Sequence, residues 1–94
     1  MEIRYLVWDN ANERHLAYHG IEVREIQELL DTNEWVIDRH PRYPEQVRLT
    51  GYTQSGRWLT VAMDPTPWPE VWRPVTGWDS TAEERLYWQE QNPQ

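Results

Sequence analysis

The sequence predicts an α+β domain: a first strand and two helices, an antiparallel sheet of about four strands, and a closing helix. Three observations predict it. Up to Asn33, apolar residues recur at helical spacing behind one short apolar run. After Asn33 the period changes to alternation, the pattern of half-buried strands. From Ser80 the spacing is helical again, behind a capping signal. Ninety-four residues suffice for one small domain with a modest core, so residues 1–94 are read as a single domain with the helices on one face of the sheet. There is no internal repeat, low-complexity stretch or linker.

The elements follow in order. "IRYLVWD" combines Ile, Tyr, Leu, Val and Trp, a strand composition, and ends in an Asp–Asn pair suited to a helix start. Asn10 with Glu13 has the spacing of a capping box, and the first helix is expected to run to His19 and stop at Gly20. In "IEVREIQELLD", Val23, Ile26, Leu29 and Leu30 form the apolar stripe of a second helix. "WVIDRH" reads as a strand, followed by a loop with Pro41 and Pro44. "QVRLTGYT" and "RWLTVAM" flank "QSG", where Gly56 can turn a hairpin. "EVWRPVT" is a last strand, placed at an edge or bulged at Pro74, which has no N–H to give a ladder. "STAEERLYWQEQ" opens with Ser80 and Glu83 at capping-box spacing and forms a short third helix before the "NPQ" tail.

Composition limits the function classes. Without cysteine there is neither a disulfide framework nor a thiolate zinc site. The N-terminal "MEIRYLVWDN" lacks an apolar run long enough for a signal peptide or a membrane span, so a cytoplasmic location is expected, with no membrane partner. A formal charge of −7 argues against general nucleic-acid affinity, which depends on cations meeting phosphates, and no binding to DNA by the chain alone is expected. The nine basic residues are all Arg and unevenly spread. From Arg39 to Met63 there are Arg39, Arg42, Arg48 and Arg57 against Glu45 alone, so a polyanion site belongs there.

Three constellations carry candidate chemistry. His15 and His19, at i and i+4, share one helix face as a metal would require, but no HExxH, no Cys and no third recognisable ligand accompany them. A histidine in a last helical turn also suits the helix dipole, so no metal or other cofactor is expected. Second, Arg39, Arg42, Tyr43, Arg48, Tyr52, Arg57 and Trp58 lie on or beside the hairpin, where Arg would hold phosphate and rings would stack on unpaired bases. The alternative is that the rings pack the sheet and the arginines solvate it. Alternation sets Arg48, Thr50 and Tyr52 on one face and Val47, Leu49 and Gly51 on the other. Third, the C-terminal third carries Trp68, Trp72, Trp78 and Trp88; a chain with no Phe needs some of these four in its core, and Trp68, Trp78 and Trp88 are candidates for a partner surface. Trp68, in "DPTPWP", is the clearest exposed anchor. No nucleophile elbow, Gly-rich phosphate loop or Ser/His/Asp order is present.

Taken together, "WDNANERHLAYHGIEVREIQELL", "VRLTGYTQSGRWLTVAM" and "WRPVTGWDSTAEERLYW" resemble the BrnT family of bacterial toxins and its small relatives over nearly the whole chain. The matching residues are Trp8–Asp9, His15, His19–Gly20–Ile21 and Glu25, then Arg48, Gly51, Gly56–Arg57 and Arg73, and finally Thr81 with Glu84–Arg85. The resemblance implies a RelE-like fold and a type II toxin–antitoxin pair, in which a small metal-independent ribonuclease blocks translation and a ribbon–helix–helix antitoxin neutralises it. It implies RNA as a ligand. Carried over residue by residue, Arg48, Arg57 and Arg73 would be the phosphate-side cations, with His19 or Glu84 as proton-transfer groups. Arg39, Arg42, Tyr43, Tyr52 and Arg85 would contact RNA.

The chain also departs from the family pattern. Tyr18 stands where a Lys or Arg usually precedes His–Gly, Gly77–Trp78–Asp79 replaces an Ala–Arg pair, and Ala82–Glu83 replaces a basic helix start. Pro74 takes an aliphatic position, and the family's helix Tyr aligns better with Trp88 than with Tyr87. Losing one transition-state donor typically costs about 3–4 kcal/mol. Two expectations follow: a BrnT-like ribonuclease, or a degenerate BrnT-fold protein acting as a protein-binding or regulatory module.

Overall fold

The computed structural model describes residues 2–93. Its elements are β1 (Tyr5–Leu6), α1 (Asn10–Tyr18), α2 (Val23–Asp31), β2 (Val36–Arg39), β3 (Val47–Tyr52), β4 (Trp58–Pro65), β5 (Val71–Asp79) and α3 (Ala82–Gln91). The α+β class and the element order agree with the sequence reading. The sheet has five strands in the order β1-β5-β4-β3-β2, and it is mixed because β1 runs parallel to β5. The other pairings are antiparallel.

The helices lie on both faces of the sheet, not on one. Val47, Leu49 and Gly51 stand opposite Met63, Val61 and Leu59, and this layer packs with Leu16, Ile21, Ile26 and Leu29 from the helix pair. Gly51 is needed for the close approach: a Cβ there would meet Leu29 Cδ1 at 2.5 Å and the Trp35 Cα at 3.3 Å. The alternate residues Tyr52, Trp58 and Trp78 point to the other face, where α3 lies. Helix α3 has no buried residue of its own, so it depends on these rings rather than on an apolar stripe.

Strand β5 is interior, so of the two places open to Pro74 the bulge is the one found. Ala62 stands opposite Thr76 while Met63 stands opposite Pro74, which leaves Val75 as the extra residue. The missing N–H of Pro74 falls where the ladder is already interrupted. Past Trp72, β5 has no partner on the β1 side, and α1 closes that side: Asn12 Nδ2 donates to the Pro74 carbonyl at 2.9 Å.

Both expected capping boxes lie one residue away from their predicted places. Helix α1 starts on Asp9 with Asn12, each side chain accepting the other's backbone N–H at 2.9 Å, instead of on Asn10 with Glu13. Asp9 brings a full negative charge to the helix N-terminus. Helix α3 starts on Thr81 with Glu84, not on Ser80 with Glu83. Ser80 is drawn into the sheet, where its N–H donates to the Trp58 carbonyl and its hydroxyl meets Thr60 Oγ1 at 2.9 Å. Gly20 and Gly56 both have positive φ, at the helix stop and hairpin turn expected of them.

Candidate functional site

The residues expected to act on one phosphate fall in three separate places. The first lies where the hairpin meets α2. Arg57 donates from Nε to Asp79 Oδ1, and from Nη1 to the Gly20 carbonyl and to Glu25 Oε2, each at 2.9 Å. Burial would raise the Glu25 carboxyl, but the Glu22 N–H and the Arg57 guanidinium outweigh it and hold it below its ordinary value. Asp79 and Glu25 in turn hold Arg57 more firmly charged. A guanidinium engaged in this way must break an ion pair before it can clamp a phosphate. Next to Gly20, His19 caps α1 with an exposed ring set edge-on to Tyr18 and His15; the histidine centroids are 4.9 Å apart. His15 Nε2 lies 3.1 Å from Thr76 Oγ1.

The second place is the N-terminus of α1. Arg73 Nε and Nη2 meet the two Asp9 carboxylate oxygens at 3.0 and 3.1 Å, a bidentate pair. The Asn12 N–H outweighs the opposing effect of burial and, together with Arg73, holds the Asp9 carboxyl below its ordinary value. Arg73 thereby braces a helix cap.

The third place, on the α3 face, is a cleft of about 510 Å³ containing Arg48, Asp38, Thr50, Trp78, Glu84 and Tyr87. The half-buried Arg48 guanidinium stands 5.8 Å from the Trp78 ring centroid, a cation–π contact, and Asp38 is its cross-strand neighbour. Arg48 forms no ion pair among the described residues, unlike Arg57 and Arg73. Glu84 is close by but engaged, accepting Trp78 Nε1–H at 3.0 Å and the Thr81 N–H at 2.8 Å. A chain of hydroxyls, Thr50, Thr60 and Ser80, runs beneath the cleft in contacts of 2.9 Å. The structure therefore brings Arg48 and Glu84 together, and it leaves His19, Arg57 and Arg73 elsewhere.

The expected RNA-contacting residues are also dispersed. Arg39, Arg42 and Tyr43 share the β2–β3 region, beside a crevice of about 650 Å³. Arg85 is exposed on α3, next to Trp58 and Leu86. Tyr52 packs with Trp58 and Trp88, ring centroids 5.1–5.5 Å apart, and its hydroxyl donates to Glu34, which raises the Tyr52 pKa. Of the tryptophans expected at a partner surface, Trp68 is 67% exposed. Trp78 and Trp88 are half-buried and dock α3 within the chain, Trp88 Nε1 donating to the Glu34 carbonyl. An amphipathic helix with so weak an apolar face needs such anchors.

Sequence reasoning gave no role to Glu25, Asp79, Gln46 or Asp64, and gave Asp9 only a place at a helix start; their partners lie far along the chain. Glu25 and Asp9 did stand among the residues of the family resemblance, without a task. Among the described residues no group of three or more His, Asp or Glu is arranged to hold a metal ion, and no helix is long and apolar enough to cross a membrane. A scan of protein-family models and a search of curated proteins both find no match to this chain.

Proposed function

We propose that this chain is a BrnT-like, RelE-fold component of a type II toxin–antitoxin pair that acts by protein binding and does not cleave RNA. One observation carries the reading: Arg57, Arg73 and Glu84, three of the groups a ribonuclease site would use, are each bound by a partner within the fold, in three different places. Cleavage beside a 2′-hydroxyl needs base, acid and cations converging on one phosphorus, within hydrogen-bond reach of one another. The acidic overall charge agrees, since a surface at −7 repels polyanions and attracts a basic protein. The exposed Trp68 supplies an aromatic anchor, its backbone N–H donating to Thr66 Oγ1 at 3.2 Å between Pro67 and Pro69.

A second reading, metal-independent ribonuclease action in translation control, is favoured by Arg48, which among the described residues forms no ion pair in the cleft on the α3 face. Inducible expression in bacteria separates the two. On the proposed reading the folded protein leaves growth and total RNA unchanged, and it co-purifies with the small ribbon–helix–helix protein encoded beside it. Growth arrest with fragmented RNA, relieved by Arg48→Ala in a protein that still folds, would overturn this and install the second reading. Absence of any ribbon–helix–helix frame beside the gene would remove the toxin–antitoxin assignment itself.

A further inference from the structure

We infer that the crevice between the β2–β3 loop and the end of β4 binds a guanine base carrying a phosphate, from a free nucleotide or from single-stranded RNA. The inference rests on the crevice alone and not on the toxin–antitoxin reading. Its volume, about 650 Å³, suits a nucleotide. Tyr43, Pro44 and Pro65 give it flat apolar walls, while Gln46 and Asp64 supply its polar groups.

Those two polar groups specify the base. Gln46 Nε2 donates one of its two N–H groups to Asp64 Oδ1 at 2.9 Å, which ties the two side chains together. Among the described residues Gln46 Oε1, Asp64 Oδ2 and the second Gln46 Nε2–H then have no partner, so the site offers two acceptors, one of them anionic, and one donor that suits the guanine O6. A matching ligand needs two neighbouring N–H donors. Guanine has them on its pairing edge, at N1 and N2, whereas adenine, cytosine and uracil each set an acceptor beside their donors there. Arg42, exposed and in no ion pair among the described residues, is placed on the rim to meet the phosphate. Glu45, also on the rim, is exposed and solvated.

The loop is held ready for a ligand. Tyr43 N–H donates to the His40 carbonyl at 3.2 Å and Gln46 N–H to the Tyr43 carbonyl at 3.0 Å, two successive turns. Arg39 Nη1 ties the loop through the Pro44 carbonyl at 2.8 Å, and the His40 ring packs 4.9 Å from that of Tyr43. A stacking ring fixed beforehand loses little entropy on binding.

Calorimetric titration of the full chain with GMP, AMP, CMP, UMP and guanosine tests this. GMP is expected to bind at least about tenfold tighter than the other three nucleotides. Asp64→Asn, which turns an acceptor into a donor, should erase that preference, and Arg42→Ala should weaken GMP while leaving guanosine unchanged. Tyr43→Ala, a change at an exposed ring, guards against a folding failure of the Asp64 variant and should weaken all four nucleotides. Single-stranded oligonucleotides with and without one guanine separate the sources: tighter binding than GMP with that guanine present indicates RNA, and GMP binding alone indicates the free nucleotide. Equal affinity for all four nucleotides, no binding of any of them, a guanine preference that a folded Asp64→Asn protein keeps, or affinities that Tyr43→Ala leaves unchanged, overturns the inference.

Discussion

Arg57 Nη1 stands 2.9 Å from Glu25 Oε2, joining the hairpin to the first turn of α2 through a pair in which the carboxylate is only 10% exposed. Removing one partner leaves the other desolvated and uncompensated. Arg57→Ala should therefore lower unfolding stability by about 2–4 kcal/mol, since breaking buried pairs costs about 3–5 kcal/mol and this one is partly wet. The double variant Arg57→Ala with Glu25→Gln should recover part of the loss. Urea denaturation of the three proteins checks this; additive losses would mean that the pair is not coupled.

The same carboxylate predicts an acid response. Its folded pKa is depressed, so its contribution to stability is complete above the unfolded value and is lost as pH falls through the folded one. Asp9 has the same sign. Stability should decline below about pH 4.3, the ordinary Glu value. Glu25→Gln should flatten that decline in melts across the range, and a parallel decline in the variant would assign it to other groups.

Gly51 predicts a steric coupling. Alanine there would place its Cβ 2.5 Å from Leu29 Cδ1 and cost about 1–3 kcal/mol as overpacking. In a Leu29→Ala background, where that methyl is absent, Gly51→Ala should cost clearly less. The double-mutant cycle reads the difference directly.

Helix α3 should be the first element to open. It has no buried residue and is held by Trp78 and Trp88. Hydrogen exchange of its amides is expected to be faster than that of α2, which buries Ile26, Leu29 and Leu30. Trp88→Ala should accelerate α3 exchange further with little effect on the Val47–Tyr52 strand, and equal protection of both helices would contradict this docking account.

Trp72 behaves differently from the other tryptophans. Its Nε1 is buried without an acceptor among the described residues, so its N–H contributes a cost. Trp72→Phe should change stability by less than about 1 kcal/mol, the lost packing offset by the removed donor. Trp78→Phe should cost about 1 kcal/mol or more, because it removes the Nε1–H that the half-buried Glu84 carboxylate accepts. Thermal melts of the two variants, side by side, decide.

The helices and strands were legible because their signals are local. Of the stripe Val23, Ile26, Leu29 and Leu30, all but the half-buried Val23 are buried, and the alternation Val47, Leu49 and Gly51 is buried as its spacing required. The caps were misplaced by one residue because Asn10 and Ser80 are as good on paper as Asp9 and Thr81. Arg73 brings its charge to Asp9, and the Trp58 carbonyl claims the N–H of Ser80.

By itself, then, the sequence determined which segments are helix and strand, which stripe of α2 and which face of β3 meet the core, and where the chain turns, since these depend on neighbours one to four positions away. Only the tertiary structure decided what each charged or aromatic side chain does. Asp9 finds Arg73 across 64 positions, Glu25 finds Arg57 across 32, and Gln46 finds Asp64 across 18. Any of nine arginines could have met any of sixteen acids, and no local period ranks those pairings. Geometry chooses among them, because an ion pair or a hydrogen bond has strength only within a few ångströms.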